Sequence, residues 1–237
     1  MLQATKINTI KLAAEETLWP TRCVICDTPG YLLCPKCAKT LSYIDHSKTC
    51  KKCGEPFGRL QCATCMSKPP FDGCVSATLL DKNSGAIVTL FKDAGEIRLA
   101  KVMAYFIAKA IKPNWYKGSC LVTFIPASKE AFNKRGFDHS EILANEVSKQ
   151  IGQRCVKLFK RPNSKDQRNL GRKGRLANIG QKYKILESKK DFISRLDLPI
   201  LIIDDVFTTG STIFSASREL RSLGTNTIYG GVFSRTF

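Results

Sequence analysis

The chain has 237 residues, 43% of them hydrophobic, which suits one large or two modest globular domains. No stretch approaches the roughly 18 apolar residues that span a bilayer, and the N-terminus lacks the basic start and apolar core of a secretory signal. These features argue against a transmembrane or secreted protein, so we expect a soluble, cytoplasmic one. The 38 basic and 20 acidic residues give a net charge of +18, which favours polyanionic partners such as nucleic acid, phosphorylated ligands or an acidic membrane surface.

The N-terminal segment, residues 1–21, is predicted to contain a short helix. Apolar residues recur at roughly helical spacing between positions 8 and 19, and Pro20 provides a stop signal. The pattern indicates a helix that packs on the module that follows.

Residues 22–68 form a cysteine-rich module with four Cys-x-x-Cys pairs, predicted to be a double zinc ribbon. The eight cysteines are Cys23, Cys26, Cys34, Cys37, Cys50, Cys53, Cys62 and Cys65. Two pairs make a closed tetrahedral site, so eight thiolates fit two structural zinc ions. Sequential pairing closes the shorter loops, but the spacing leaves cross-brace pairing open. A disulfide framework and redox catalysis are disfavoured by the regular spacing and the missing signal.

A second domain, residues 71–237, follows the stiff linker Lys68-Pro69-Pro70. Its hydrophobic pattern predicts an α/β fold, with a mostly parallel sheet and helices on both faces. Predicted strands cover residues 74–80, 120–125, 200–203 and 226–233. Predicted helices cover residues 84–92, 96–111 and 138–151, and another begins after residue 212.

The stretch at 199–212 carries the strongest chemical signal. Ile200 to Ile203 are typical of a strand buried on both faces, hence of a central parallel strand. Asp204 and Asp205 follow, and then a loop of small hydroxyl residues around Gly210 that leads into a helix. Backbone N–H groups, hydroxyls and the helix dipole can together hold a phosphate, while carboxylates accept bonds from sugar hydroxyls or help hold hydrated Mg²⁺. A helix-capping turn would explain only one of these hydroxyls.

Two basic segments accompany this motif. The first follows the strand at 120–125, whose carboxyl end should lie beside that of the central strand; there Ser128, Lys129, Lys134 and Arg135 supply donors and charge. The second, residues 154–175, has nine basic residues against a single acid, Asp166. Its missing apolar periodicity and its glycines predict a mobile loop.

Residues 200–212 resemble the phosphoribosyl pyrophosphate signature of type I phosphoribosyltransferases. The resemblance implies that Asp204 and Asp205 contact ribose hydroxyls, that the loop cradles the 5′-phosphate, that the turn after residue 125 binds pyrophosphate and that segment 154–175 closes over the site. The implied ligand-binding residues are Asp204, Asp205, Val206, Phe207, Thr208, Thr209, Gly210, Ser211, Thr212, Ala127, Ser128, Lys129 and Arg135.

A narrower resemblance covers nearly the whole chain. The Cys-x-x-Cys pairs, the segment Arg-Gly-Phe-Asp-His-Ser-Glu-Ile-Leu-Ala at 135–144, the spaced residues from Gln167 to Asn178 and the acidic motif look like the ComF family of competence proteins. Asp138 and His139 stand where that family commonly has Asn-Gln, and we expect His139 to be an ordinary helix-start residue. Lys92 occupies a position where the family usually keeps a lysine, with no role derivable from the sequence.

The ComF resemblance implies a protein that binds phosphoribosyl pyrophosphate with Mg²⁺ and serves natural transformation, in which single-stranded DNA reaches the cytoplasm. Its implied partners are single-stranded DNA and the DNA-uptake machinery, such as a helicase or membrane channel. Two alternatives remain: a phosphoribosyltransferase of nucleotide metabolism, and a zinc-ribbon nucleic-acid adaptor with a vestigial sugar-phosphate site. Any catalysis would be glycosyl transfer at the ribose anomeric carbon, with Asp204 and Asp205 as candidate catalytic residues; the sequence identifies neither a general base nor an acceptor.

Overall fold

The computed structural model describes residues 21–56, 62, 65, 69–111, 115, 118–162 and 183–236. The helix predicted within residues 8–19 lies outside these residues, as does most of the basic segment 154–175, from residue 163 onward. Within the described parts of the chain, no helix combines the length and apolar character needed to cross a bilayer.

The described residues of the cysteine-rich module have little regular structure, as expected of a fold organised around metal sites. It contains a short helix, α1 (Pro35–Ala38), and a 3-10 turn at His46–Lys48. The segment between its two halves runs beside the next domain: Leu79 N–H donates to the Ser42 carbonyl at 2.8 Å, and Ile44 N–H donates to the Ala77 carbonyl at 3.2 Å. This segment thereby covers a sheet edge whose backbone groups would otherwise be free to pair with another chain.

A five-stranded sheet forms the second half of the molecule. The strands are β1 (Gly73–Leu79), β2 (Leu121–Phe124), β3 (Arg154–Cys155), β4 (Ile200–Phe207) and β5 (Ile228–Arg235). They lie in the order β1-β5-β4-β2-β3, and every pairing is parallel. The strand predicted from the apolar run at 200–203 is therefore the central one.

Helices cover both faces of the sheet, which confirms the predicted fold class. They are α2 (Lys82–Lys92), α3 (Leu99–Ala110), α4 (Lys129–Arg135), α5 (His139–Gln150), α6 (Lys190–Ser194) and α7 (Ser211–Ser222). Side chains alternate along β4: Leu201 and Ile203 pack with α2, α3 and α5, whereas Ile200 and Ile202 pack with α6 and α7. A strand buried on both faces needs this unbroken apolar run.

Four details differ from the sequence-based predictions. Strand β4 continues to Phe207, so the acidic pair lies within it and not after it. Helices α4 and α6 and strand β3 were not predicted. Two signals for α4 were available, because the Ser128 hydroxyl caps its start by accepting from Ala131 N–H at 3.2 Å and Gly136 ends it with φ of 78°.

Candidate functional site

The eight paired cysteines form two separate clusters. In each cluster the four sulfurs lie within 4.8 Å of one another; the first is Cys23, Cys26, Cys34 and Cys37, and the second is Cys50, Cys53, Cys62 and Cys65. The pairing is thus sequential and not cross-braced. The sulfurs of Cys26 and Cys34 are 3.6 Å apart, as are those of Cys53 and Cys62; tetrahedral Zn–S bonds of about 2.3 Å imply about 3.8 Å. The two clusters fit two structural zinc sites.

Backbone N–H groups point at the sulfurs, as metal-bound thiolates require. Cys34 N–H donates to the Cys23 sulfur and Cys37 N–H to the Cys34 sulfur, each at 3.4 Å, and Cys62 N–H donates to the Cys50 sulfur at 3.3 Å. Such donors stabilise thiolate charge and fix ligand orientation.

The second cluster contacts the sheet directly. Cys74 N–H, in β1, donates to the Lys52 carbonyl at 2.6 Å, and the buried Arg235, at the end of β5, donates to the Cys53 carbonyl at 2.7 Å. Gly54 has φ of 71°, and a Cβ there would lie 2.5 Å from the Cys74 carbonyl oxygen. Only glycine allows this close approach, so the second metal site and the sheet share one interface.

The acidic pair lies at the carboxyl end of the central strand. Both carboxylates are buried, at 9% and 3% exposure for Asp204 and Asp205. Lys92, at the end of α2, donates to Asp205 Oδ2 at 2.7 Å, and His139 Nε2 lies 3.6 Å from the same oxygen. Among the described residues, none of the ion pairs involves Asp204. The structure therefore gives Lys92, which the ComF resemblance singled out without a role, the role of ion-pair partner to Asp205.

The two carboxyl groups have opposite electrostatic environments. Burial and the neighbouring Asp205 charge raise the pKa of Asp204 to about 8. Burial alone would raise the pKa of Asp205, but the Lys92 ammonium, the neighbouring His139 and the hydrogen bond from Val206 N–H together hold that pKa below its ordinary value. At neutral pH the pair therefore holds one negative charge, on Asp205, and one proton, on Asp204.

His139 begins α5, as expected, but it is also part of this site. Burial lowers the pKa of its imidazole, so the ring is neutral at pH 7. Its Nδ1 is 3.2 Å from Arg135 Nη1, and because a guanidinium can only donate, Nδ1 must accept. The assigned ring proton then lies on Nε2, facing Asp205. The imidazole positions the carboxylate and carries no charge.

The hydroxyl-rich loop joins β4 to α7. Thr208 and Thr209 are exposed, whereas Gly210 is buried with φ of 72° and a Cβ there would overlap the Phe207 ring. Within the described structure, no side chain caps α7 from the N-cap position, which is Gly210 itself; the nearest substitute is Thr209 Oγ1, which accepts from Ser211 N–H at 3.4 Å. Helix capping thus leaves most of the loop's hydroxyls unexplained.

The turn after β2 lies beside this loop, because β2 and β4 are neighbours with Phe124 paired to Ile203. Asp138 organises the turn: its Oδ2 accepts from Ala127 N–H at 3.1 Å and pairs with Arg161 Nη2 at 3.2 Å. Arg161 therefore connects the start of the basic segment to the turn.

The remaining predicted site residues divide into three groups. Lys129 is exposed at the start of α4. Arg135 pairs with Asp93 at 3.0 Å and contacts His139. Val206 is half-buried and packs on the face of the sheet that α2, α3 and α5 cover, whereas Phe207 is buried beneath Gly210 and supports the loop from below. Tyr183, which sequence reasoning missed, is buried near Asp204 and shares a side-chain hydrogen bond with Thr212; burial raises the pKa of its phenol.

Comparisons with known proteins found matches to the cysteine-rich module and to most of the chain. A family model described as the double zinc ribbon domain matches residues 14–66. The chain is 24% identical over 222 residues to competence protein F of Haemophilus influenzae. The aligned region covers 87% of this chain and 93% of that protein. Over most of its length, the chain is ComF-like. It is also 24% identical over 237 residues to the DNA utilization protein YhgH of Salmonella typhi, with 92% and 98% covered.

Among solved structures, the chain is similar to a hypoxanthine phosphoribosyltransferase from Staphylococcus aureus. The sequences are 15% identical, the TM-score is 0.32, and the match covers 60% of this chain and 72% of that one.

Proposed function

We propose that this ComF-like chain binds phosphoribosyl pyrophosphate together with Mg²⁺ and acts in the handling of incoming single-stranded DNA during natural transformation. One observation supports the ligand assignment: a buried acidic pair in β4 is followed by an exposed hydroxyl loop at the start of α7, whose N-cap residue, Gly210, has no side chain to cap the helix. The names of the relatives, competence protein F and DNA utilization protein, support the DNA role.

In this proposal each part of the site binds one part of the ligand. Asp205, kept ionised by Lys92, accepts from one ribose hydroxyl, and Asp204 binds the other. The N–H groups and hydroxyls of residues 208–212 bind the 5′-phosphate at the start of α7. Lys129 and the turn after β2 bind the pyrophosphate, whose charge Mg²⁺ partly neutralises. Arg135 can exchange Asp93 for the same group, since its partner is exposed.

The proposal concerns binding, and any chemistry would follow from it. Displacement at the anomeric carbon needs a positioned acceptor and stabilisation of the departing pyrophosphate. The His139 proton faces Asp205, so this imidazole supports the carboxylate and does not take a proton from an acceptor.

Isothermal titration calorimetry with phosphoribosyl pyrophosphate and Mg²⁺ tests the ligand. We expect wild-type binding and at least a roughly 100-fold loss in the double variant Asp204→Asn/Asp205→Asn, because charge-assisted hydrogen bonds to the sugar disappear. Asp197→Asn, which changes an exposed acid just before β4, is the matched control and should bind normally. Absent wild-type binding, or undiminished binding by the double variant, would refute the proposal.

A further inference from the structure

An exposed surface away from the acidic pair combines aromatic rings with basic side chains. We call it the tyrosine patch and define it by Tyr43, Tyr105, Lys39, Lys101 and Lys109. The two tyrosines are 47% and 44% exposed, and all three lysines are exposed. Tyr43 comes from the segment between the two cysteine clusters and Tyr105 from α3, so only the folded chain brings the rings together.

The rings stand on a rigid base. Phe106 lies between them, with its centroid 5.5 Å from that of Tyr43 and 5.2 Å from that of Tyr105, and it contacts the fully buried Phe233 at 6.4 Å. The Tyr43 hydroxyl donates to the Ala38 carbonyl at 2.7 Å. Rings held in this way lose little conformational freedom when a flat ligand stacks on them.

Charge on the patch has one sign. Lys101 and Lys109 lie four residues before and after Tyr105, on the same face of α3, and Lys109 Nζ is 4.7 Å from the Tyr105 ring centroid. Neither residues 36–44 nor residues 97–111 include an acidic residue. The surface is therefore complementary to a flexible polyanion that carries exposed flat groups.

We propose that the tyrosine patch binds single-stranded DNA, with bases stacked on Tyr43 and Tyr105 and phosphates on the lysines. Exposed rings with cations on either side favour this occupant over an apolar peptide, and stacking requires bases that are not already paired. The inference deepens the proposed function and rests on it for the DNA partner, while the location comes from these contacts.

The patch opens near the same end of the sheet as the acidic pair. Tyr43 bridges to Thr78 of β1; Thr78 pairs with Ser234 of β5, and Ser234 pairs with Val206 of β4. A DNA strand bound at Tyr43 would thus lie level with Val206, the residue that follows Asp205. Binding there places DNA at the same level of the sheet as the sugar-phosphate site but three strand spacings, about 14 Å, to one side of it.

Fluorescence anisotropy with a labelled oligothymidylate of about 20 nucleotides tests the patch. Each tyrosine-to-alanine change, Tyr43→Ala or Tyr105→Ala, should weaken binding roughly tenfold, the cost of one stacked base. Tyr43→Phe/Tyr105→Phe keeps both rings and should bind nearly as well as wild type. Phe192→Ala is the matched control, since Phe192 is 40% exposed on α6, beyond the opposite face of the sheet, and should change nothing.

Replacing the lysines should change how strongly DNA affinity depends on salt concentration. Lys101→Gln/Lys109→Gln should lower the slope of log affinity against log salt by about 0.7 for each DNA phosphate that the variant no longer neutralises, whereas the tyrosine variants should leave that slope unchanged. All patch variants should still bind phosphoribosyl pyrophosphate normally.

The outcomes separate this inference from the proposed function. Wild-type DNA binding that survives the double change Tyr43→Ala/Tyr105→Ala overturns the patch and leaves the proposed function standing; the rings would then form a protein-docking surface. Absence of any DNA binding by the wild-type chain overturns both the patch and the DNA role, whatever calorimetry shows for the phosphoribosyl ligand.

Discussion

The two cysteine clusters are each built from two Cys-x-x-Cys pairs but have different surroundings. Around the first, the described residues that pack on the buried cysteines are the half-buried Ile25 and Leu33, through which this cluster reaches the main core, and Cys26 is exposed. The second cluster belongs to the same buried core as Phe71 and Cys74 at the sheet. Two sites that look alike in sequence therefore stabilise different amounts of structure.

The second cluster is also close to the candidate ligand site. Arg235 donates to the Cys53 carbonyl, and its guanidinium lies 4.8 Å from the centroid of the Phe207 ring, which lies beneath Gly210 of the hydroxyl loop. Metal at the second cluster should therefore influence ligand binding, and metal at the first should not.

Loss of one cysteine from each cluster gives the largest expected difference. Cys53→Ser and Cys26→Ser should each leave about one zinc per chain, by atomic absorption. Structural zinc stabilises by about 10 kcal/mol or more. Because the second cluster is part of the shared core, we expect Cys53→Ser to lose about a third of that stabilisation free energy. At about 2–4 °C per kcal/mol, its melting temperature should fall by roughly 10 °C. Cys26→Ser should lower the melting temperature less than Cys53→Ser does and should leave ligand binding intact. Equal losses in both variants would contradict the comparison.

Arg235 tests the connection between the second cluster and the loop. Arg235→Met leaves the buried Cys53 carbonyl without its donor and removes the cation from Phe207, at a cost of about 3 kcal/mol. Calorimetry should also show roughly tenfold weaker binding of phosphoribosyl pyrophosphate. Arg218→Met, an exposed arginine on α7, is the control. If Arg235→Met binds the ligand as tightly as wild type, the two sites are independent.

Lys92 pairs with Asp205 of the acidic pair and belongs to neither cysteine cluster. Lys92→Met removes the ammonium from Asp205, which should raise the pKa of that carboxyl. The cost should be about 2 kcal/mol, below the value for a fully buried pair because the lysine is 33% exposed. Ligand affinity should fall while zinc content stays at about two. Denaturant unfolding and calorimetry measure both effects, with Lys82→Met on the same helix as control. Unchanged affinity would show that the ion pair does not prepare the site.

Asp204→Asn should have the smallest effect of these variants, a change in melting temperature that depends on pH. Its pKa of about 8 in the folded chain exceeds the ordinary 3.8, so the folded state binds the proton more tightly. Stability from this group is therefore lost as pH rises from about 4 to about 8. Asp204→Asn does not titrate and should raise the melting temperature by a few degrees near pH 8, with a smaller gain near pH 5. The same gain at both pH values would argue against a raised pKa. The control variant Asp197→Asn should leave the melting temperature unchanged at both pH values.

Much of the site could be predicted because its signals are local. The apolar run at 200–203 requires burial on both faces, and the acids and hydroxyls follow it directly in the chain. The cysteine spacing likewise indicates two metal sites, since Cys-x-x-Cys supplies two ligands from one turn. By contrast, Lys92, His139 and Tyr183 reach the acidic pair from separate elements, and no local pattern indicates where they lie.

The sequence by itself determined the parallel sheet, its central strand, the cysteines of the two clusters and the position of the hydroxyl loop after that strand, because periodicity and spacing act within a few residues. Only the tertiary structure decided which cysteine pairs combine, which carboxyl of the acidic pair holds the charge, and that Tyr43 lies beside Tyr105. Those outcomes depend on burial and on distances between segments far apart in the chain. Such distances are set when the two sides of the sheet pack, and short-range sequence patterns carry no record of them.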